Sequence, residues 1–362
     1  MSIPSSFSPK RLLITRLSAI GDCVLTIPLA VAAKQMWPNC EIVWVVECAA
    51  EQFLQSHPAI DQVVRIPKGW LGRPRQWLEI RRQMRGLQCD LVLDPQGLSK
   101  SALLGWLSGA KYRIGFDSSH AREIAPWMAT QRVSRSKSHM VDTYMQMLEP
   151  WGGVQQAPQF QMPSYKEAAQ SAREILAGCN LTGNWIGLNP GAGWTTRIWP
   201  TERFAELASA LFQRYGMKSL VFWGGEAELE MAEQIVTGSG NAAVIAPSTS
   251  LVEMLELMRC CTLFVTGDTG PLHFASSLGL PCVSLHGATW AEESGPFGNP
   301  HIAIQSKATP QEKKFVRKGP NAAMQAIPTR EVIIACSELL GEQTSASTNE
   351  GNGPFATQQR AG

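Results

Sequence analysis

The stretch RLLITRLSAIGDCVLTIP, residues 11–28, decides how the rest of the chain is read. A short apolar run, Arg11 to Thr15, passes through a small loop to a lone carboxylate, Asp22, before a second apolar stretch begins. Strand, tight loop and helix in that order open an α/β unit whose loop lies at the carboxyl end of a parallel strand. Asp22 itself has two readings. As an N-cap, its oxygen accepts a hydrogen bond from one of the free N–H groups that begin a helix. As a general base, it sits at the positive end of a helix dipole and faces a ligand crevice.

The rest of the chain repeats the pattern. RLLIT, EIVWVV, QVVRIP, DLVLD and YRIGF read as strands in the first half. WIGLNPG, SLVFWGG, AAVIAP, TLFVTGD and CVSLHG do so in the second, with amphipathic stretches between them in both. A length of 362 residues exceeds what one core usually holds. The polar stretch GGVQQAPQFQMP, from Gly152 to Pro163, reads as a linker between two doubly wound, Rossmann-like domains, 1–155 and 156–340, facing each other across a cleft. GEQTSASTNEGNGPFATQQRAG, 341–362, has too little apolar content to fold and is expected to be a disordered tail.

Composition excludes several classes. With 32 basic and 30 acidic side chains the formal charge is +2, so bulk electrostatics do not point to a nucleic-acid partner. No apolar run is long enough to span a bilayer, and the opening MSIPSSFSPKRLLITR lacks a secretory segment, so a cytoplasmic location is expected. The nine cysteines show no Cys-x-x-Cys pair and read as reduced, packed thiols. No Gly-x-Gly-x-x-Gly follows the first strand and no Walker-type loop occurs, which disfavours dinucleotide and nucleoside-triphosphate chemistry.

Three further strand-end loops carry unusual residues. In NPGAGWTTRIWP, 189–200, Gly191 lets backbone N–H groups approach a ligand, Thr195 and Thr196 offer hydroxyls, and Arg197 offers a fixed positive fork for phosphate. In GDTGPLHFASSLGLP, 267–281, a helix begins near Pro271, so the N–H groups around Thr269 and Gly270 form an anion site with His273 within the first turn. In WGGEAELEMAE, 223–233, Glu228 falls in the first turn of a helix, where it either dresses the helix end or accepts the hydroxyls of a ribose.

In this order the four loops resemble the heptosyltransferases, glycosyltransferase family 9, from about Arg11 to Leu340. The resemblance implies the two-domain GT-B architecture and inverting transfer of a heptose from ADP-heptose to an anionic lipopolysaccharide inner-core acceptor of the Kdo-lipid A type. SAIGDCVLTIP looks like the family's Ser-x-x-Gly-Asp opening, which implies Asp22 as the catalytic base and Ser18 beside the acceptor. It further implies Arg197 on the donor phosphates where a lysine is common, and Glu228 on the ribose. Asp268, Thr269, Gly270 and His273 would surround the diphosphate. LDPQGLSKSALL, 93–104, is similar to the members that add the first heptose of the inner core. Lys100 there, and Arg122 in SSHAREIAP, match basic residues that meet the acceptor. ATWAEESGPFG, 288–298, departs from the family's usual Pro-Thr-Asp-Pro.

No cofactor is called for, and no Asp-x-Asp pair is present to hold a metal. RIPKGWLGRPRQWLEIRRQMR, 65–85, carries seven basic residues and one acid with Trp70 and Trp77 interleaved. It reads as a solvated face or as peripheral contact with an anionic inner-membrane surface. Two rival functions stay open at this level: a nucleotide-sugar epimerase of similar architecture and a non-catalytic nucleotide-sugar binder.

Overall fold

Twelve strands form two six-stranded sheets in a computed structural model that describes residues 3–47, 49–298, 300–310, 317 and 319–350. The first sheet holds β1 (Arg11–Thr15), β2 (Glu41–Val46), β3 (Gln62–Arg65), β4 (Leu91–Asp94), β5 (Tyr112–Phe116) and β6 (Gln131–Val133), in the order β3-β2-β1-β4-β5-β6. The second holds β7 (Ile186–Asn189), β8 (Ser219–Val221), β9 (Ala243–Ile245), β10 (Leu263–Gly267), β11 (Cys282–His286) and β12 (His301–Gln305), in the order β12-β11-β10-β7-β8-β9. Every pairing is parallel. These are the two Rossmann-like units of a GT-B fold.

Burial explains the near-continuous apolar strands. Leu12 and Ile14 enter one core while Leu13, between them, enters another on the opposite face of β1. A parallel sheet covered by helices on both faces has no solvent side to alternate with. The helix Ile20–Met36 is buried along most of its length because it lies between the first sheet and the second domain's helix Gly270–Ser277. At that junction the Phe53 and Phe274 rings meet edge to face at 5.0 Å, and one core cluster runs through residues of both halves.

Residues 152–165 carry no helix or strand and connect the short turn Gln146–Trp151 to the helix Lys166–Gly178. Three expectations are corrected. β6 and β12, not read from the sequence, complete the outer edges of the sheets, where three residues suffice for β6 and β12 is only partly buried. The helix Thr329–Glu350 runs ten residues into the segment expected to be a tail. Residues 342–350 hold no Gly or Pro, and extending an existing helix costs far less than starting one. Residues 351–362 lie outside the described residues. The third correction concerns Asp22 and belongs to the site.

Candidate active site

Two helices bring their N-termini together at the domain junction. The helix Ile20–Met36 begins after Ala19 and the helix Gly270–Ser277 after Thr269, the latter with Pro271 in its first turn. They approach so closely that a Cβ on Gly21 would lie 2.6 Å from Cδ2 of His273 and 3.1 Å from Cα of Gly270. Glycine is required there because no side chain fits. Each N-terminus carries about half a positive charge, so the junction attracts anions from two sides at once.

Asp22 is the third residue of its helix, not the cap. Ala19 holds the cap position and has no side chain to accept a hydrogen bond. The Asp22 carboxylate instead reaches back, Oδ2 accepting from the Ala19 N–H at 3.2 Å. Its Oδ1 pairs with Nη2 of Arg16 at 2.8 Å, with the Arg16 side chain 6% exposed and that of Asp22 40%. Arg16 also donates to the carbonyl of Pro95 at 3.1 Å and lies over the Tyr144 ring at 5.1 Å. Burial alone would lower the Arg16 pKa, yet Asp22 and the other acidic groups around it raise it. A permanently charged, immobile arginine therefore holds one oxygen of a carboxylate whose other face is open to the cleft.

The opposite wall comes from the second domain. Nη1 of Arg197 donates to the Asp268 carbonyl at 3.0 Å and lies 3.5 Å from Oδ2 of the same residue, with its guanidinium 3.9 Å from the centre of the Trp194 ring. Burial would push the Asp268 carboxyl up, but Arg197, aided by His286 and His273, holds it below the usual range. Ser294 donates to its Oδ2 at 3.0 Å. His273 is buried, and burial lowers its pKa. Asn189, at the end of β7, donates both to the Gly191 carbonyl at 3.0 Å and to the Thr266 hydroxyl at 3.1 Å. The Thr266 hydroxyl lies 3.2 Å from that of Thr269, so the loops after β7 and β10 are tied together.

Asp22, Arg16, Arg122, Arg197, Asp268, Thr269, Gly270 and His273 all line one cavity of about 720 Å³. Five arginines and three carboxylates stand in its wall. A second cavity of about 690 Å³ shares Ser18, Ala19, Gly21 and Gly270 with the first and continues to Glu228, Ser250, Leu251 and Met254. Glu228 accepts from the Gly224 N–H at 2.7 Å, and burial pushes its carboxyl up. A Cβ on Gly191 would fall 2.1 Å from the Glu228 carboxyl carbon, so the glycine is what admits that carboxylate. Two cavities joined over a doubly positive seam, one lined by charged groups and the other largely by apolar and aromatic ones, suit a ligand with an anionic centre and two unlike ends.

The family model for glycosyltransferase family 9 (heptosyltransferase) matches residues 77–324. The chain belongs to that family. It is 29% identical over 308 residues to lipopolysaccharide heptosyltransferase 1 of Pseudomonas aeruginosa, an alignment covering 82% of this chain and 84% of the relative. Among solved structures, a family 9 glycosyltransferase from Veillonella parvula superposes with a TM-score of 0.79 at 25% identity, covering 92% of this chain and 97% of the other. The E. coli heptosyltransferase WaaC with ADP shares the fold at a TM-score of 0.72 and 24% identity, covering 91% and 99%. The Asp22 segment precedes the matched stretch, so its place rests on the geometry above.

Within this family 9 framework, the expected residues differ in how they meet the two cavities. Thr195 and Thr196 line neither cavity: they form a short 3-10 turn with Arg197, the Thr195 hydroxyl donates to the Gly319 carbonyl at 3.4 Å, and Thr196 is buried. Lys100 and Arg122, expected together on the acceptor, come from segments in contact, the Arg122 N–H donating to the Gly97 carbonyl at 2.8 Å, but their side chains border different cavities. Arg122 stands in the wall with Asp22, whereas Lys100 pairs with buried Glu47 and lines the cavity of Glu228. Arg16, Arg135, His120, Tyr144, Trp194 and Arg317 were not singled out from sequence, yet all line the Asp22 cavity. His120 sits beside Arg135, Arg16 and Arg122, and burial together with those charges lowers its pKa to about 4. An arginine directly after a buried strand was the one available signal for Arg16. Trp194 lies in the loop already read for Arg197, Tyr144 stands on the helix Met140–Met145, and His120, Arg135 and Arg317 come from segments that nothing local connects. Among the described residues, no group of three or more His, Cys, Asp or Glu is placed to hold a metal ion.

Proposed function

We propose that this chain transfers a heptose from ADP-heptose, with inversion, to an anionic lipopolysaccharide inner-core acceptor of the Kdo-lipid A type. The observation that carries the reading is the arginine-held Asp22 carboxylate facing Arg197 and the Gly270 helix N-terminus across one cavity. Family membership and the relatives' named activities support it.

In this reading the adenosine and ribose occupy the cavity of Glu228, and the diphosphate crosses the seam of Gly21 and Gly270. The sugar then lies beside Asp22. Asp22 takes the proton of the acceptor hydroxyl as its oxygen bonds to the anomeric carbon. The bond from that carbon to the β-phosphate oxygen breaks on the far side, and its electron pair leaves with ADP. Arg197 and the helix N–H groups stabilise the charge that grows on that oxygen, so the protein's own cations do the work at the leaving group. Arg16 positions Asp22. Arg122, Arg135 and Arg317 give the cavity an excess of positive charge, which suits a multiply negative acceptor. The described residues contain no helix long and apolar enough to cross a membrane, and a lipid-linked acceptor places the work at an anionic membrane surface.

Incubating purified protein with ADP-heptose and Kdo-lipid A tests the reading by mass spectrometry of the lipid. The expected product is heavier by one heptose, with one ADP released per transfer. ADP-heptose that binds but is only hydrolysed or epimerised, with no change in the lipid, overturns it.

A further inference from the structure

Large apolar side chains are exposed very unevenly. Leu71, Leu78, Trp106, Ile124 and Trp127 are 40, 69, 54, 55 and 78% exposed, whereas the second half of the chain contributes only Phe212 and Ile334 among the described residues. The five lie on or next to four neighbouring segments: the turn Trp70–Gly72 and the helices Pro74–Gly86, Ser99–Leu107 and Ala125–Met128. The middle helix packs against both of the others, so the helices form one layer over the first sheet. Its inner side is an ordinary core, with Ile80, Met84, Leu104 and Leu107 buried against Val43, Val45 and Val92. Leu78, Trp106 and Trp127 are not needed for that core. They point away from it and interrupt an otherwise polar surface.

Positive charge predominates around them, with Glu79 beside Leu78 and Glu123 beside Ile124 as exposed acids. Arg73, Arg75, Arg81, Arg82 and Arg85 are exposed on the same turn and first helix, where Glu79 is the one acid. Arg132 lies over the Trp127 ring at 5.3 Å while its Nε donates to the Pro126 carbonyl at 2.7 Å. Exposed tryptophan and leucine ringed by arginine match the headgroup region of a bilayer, where amphipathic aromatic rings and phosphates lie at the same depth.

We infer that this helical layer docks on an anionic lipid bilayer. Trp127, Ile124, Leu78 and Trp106 enter the headgroup region and the arginines meet lipid phosphates. The inference rests on the proposed lipid-linked acceptor only for its purpose: Arg122, in the wall of the Asp22 cavity, stands two residues from Ile124, so docking brings the cavity mouth to the membrane.

The test uses the full chain without donor or acceptor, co-sedimented with vesicles of phosphatidylcholine alone or of phosphatidylcholine with about one-third phosphatidylglycerol. Binding to the anionic vesicles is expected to be at least ~10-fold stronger and to weaken with salt. The double variant Leu78→Ser, Trp127→Ser should lower it by roughly 10-fold at unchanged Tm, and Arg81→Glu with Arg82→Glu should remove the preference for negative lipid. Brominated acyl chains should quench tryptophan emission in the wild type and less in Trp127→Phe. Equal binding to both vesicles, or variants that bind like the wild type, overturns the inference. So does a dimer in solution that Trp127→Ser dissolves, since the layer would then be a self-association surface. Because no substrate is present, failure here leaves the transfer reaction untouched, and failure of the transfer assay leaves vesicle binding untouched.

Discussion

Counted from their own first strands, the two sheets have the same order, so each half offers the cleft the same two loops, after its first and after its fourth strand. What stands on those loops differs. After β1 the chain enters a helix with Asp22 in its first turn, while after β7 it enters a turn that ends in Arg197. At the end of β4 and just after β10 a buried aspartate stands in each half, yet Asp94 accepts hydrogen bonds from the Gln96 and Gly97 N–H groups whereas Asp268 is paired with Arg197. Burial pushes the Asp94 carboxyl up to about 6, against those hydrogen bonds, and Arg197 holds that of Asp268 below the usual range. One framework used twice thus separates the labour. In the proposed reaction the first half supplies the base and the second supplies charge for the leaving group.

The largest expected effect breaks the first half alone. Asp22→Asn should lower kcat by at least ~100-fold while ADP affinity stays within a few-fold, because a base acts in the transition state and not in donor binding. Steady-state kinetics beside calorimetric ADP titration read both quantities, and near-normal turnover would reduce Asp22 to a residue that only steadies its helix. Arg197→Ala should break the second half. ADP binding should weaken by about 1.5–3 kcal/mol, or roughly 10- to 150-fold, and catalysis should slow as well. ADP bound as tightly as by the wild type would mean that the diphosphate lies elsewhere.

Glu228→Ala sharpens the division, since a ribose contact is equally present in ground and transition states. Its KM for the donor should rise by about 10-fold with kcat nearly unchanged. A matching fall in kcat would argue against a ribose role. The two buried aspartates differ in a way that stability can read. Between the ordinary carboxyl value of 3.8 and about 6, the unfolded chain releases the Asp94 proton before the folded one does, so Asp94 costs stability as pH rises through that window. Asp94→Asn keeps an oxygen for the Gln96 and Gly97 N–H groups and should stabilise the protein by about 1–3 kcal/mol at pH 7, with no gain at pH 4. Thermal unfolding at both pH values checks it, and a loss at pH 7 would contradict it. The smallest effect expected is none: EDTA should leave turnover unchanged, because Arg197 and a helix N-terminus already stand at the leaving group. Activity lost to EDTA and restored by magnesium would overturn that.

Sequence carried the framework further than the site. Ten of the strands were legible because a buried parallel strand needs an unbroken apolar run, and that demand is local. β6 and β12 were missed because an edge strand can be short and partly exposed. The loops bearing Asp22, Arg197, Glu228 and Asp268 were legible through glycines and helix starts. The direction of the Thr195 and Thr196 hydroxyls was not legible, because a hydroxyl in a loop carries no sign of where it points until the 3-10 turn that holds both beside Arg197 is seen. Arg16 escaped because an arginine after a strand reads as solvated until Asp22 and Tyr144 are seen to enclose it.

The contact of Gly21 with Gly270 and His273 has a consequence for inhibitors. If the proposed subsites hold, a compound that joins a nucleoside mimic in one cavity to a sugar mimic in the other must cross the seam of Gly21, Gly270 and His273, where a methyl group on position 21 would press on the His273 ring. In the proposed arrangement the linker meets outward-pointing amide protons, the His273 ring and Arg197 there, and these reward negative charge. Neutral, greasy linkers should therefore fit the length and still bind poorly, and resistance by substitution at position 21 would damage the enzyme before it excluded the drug.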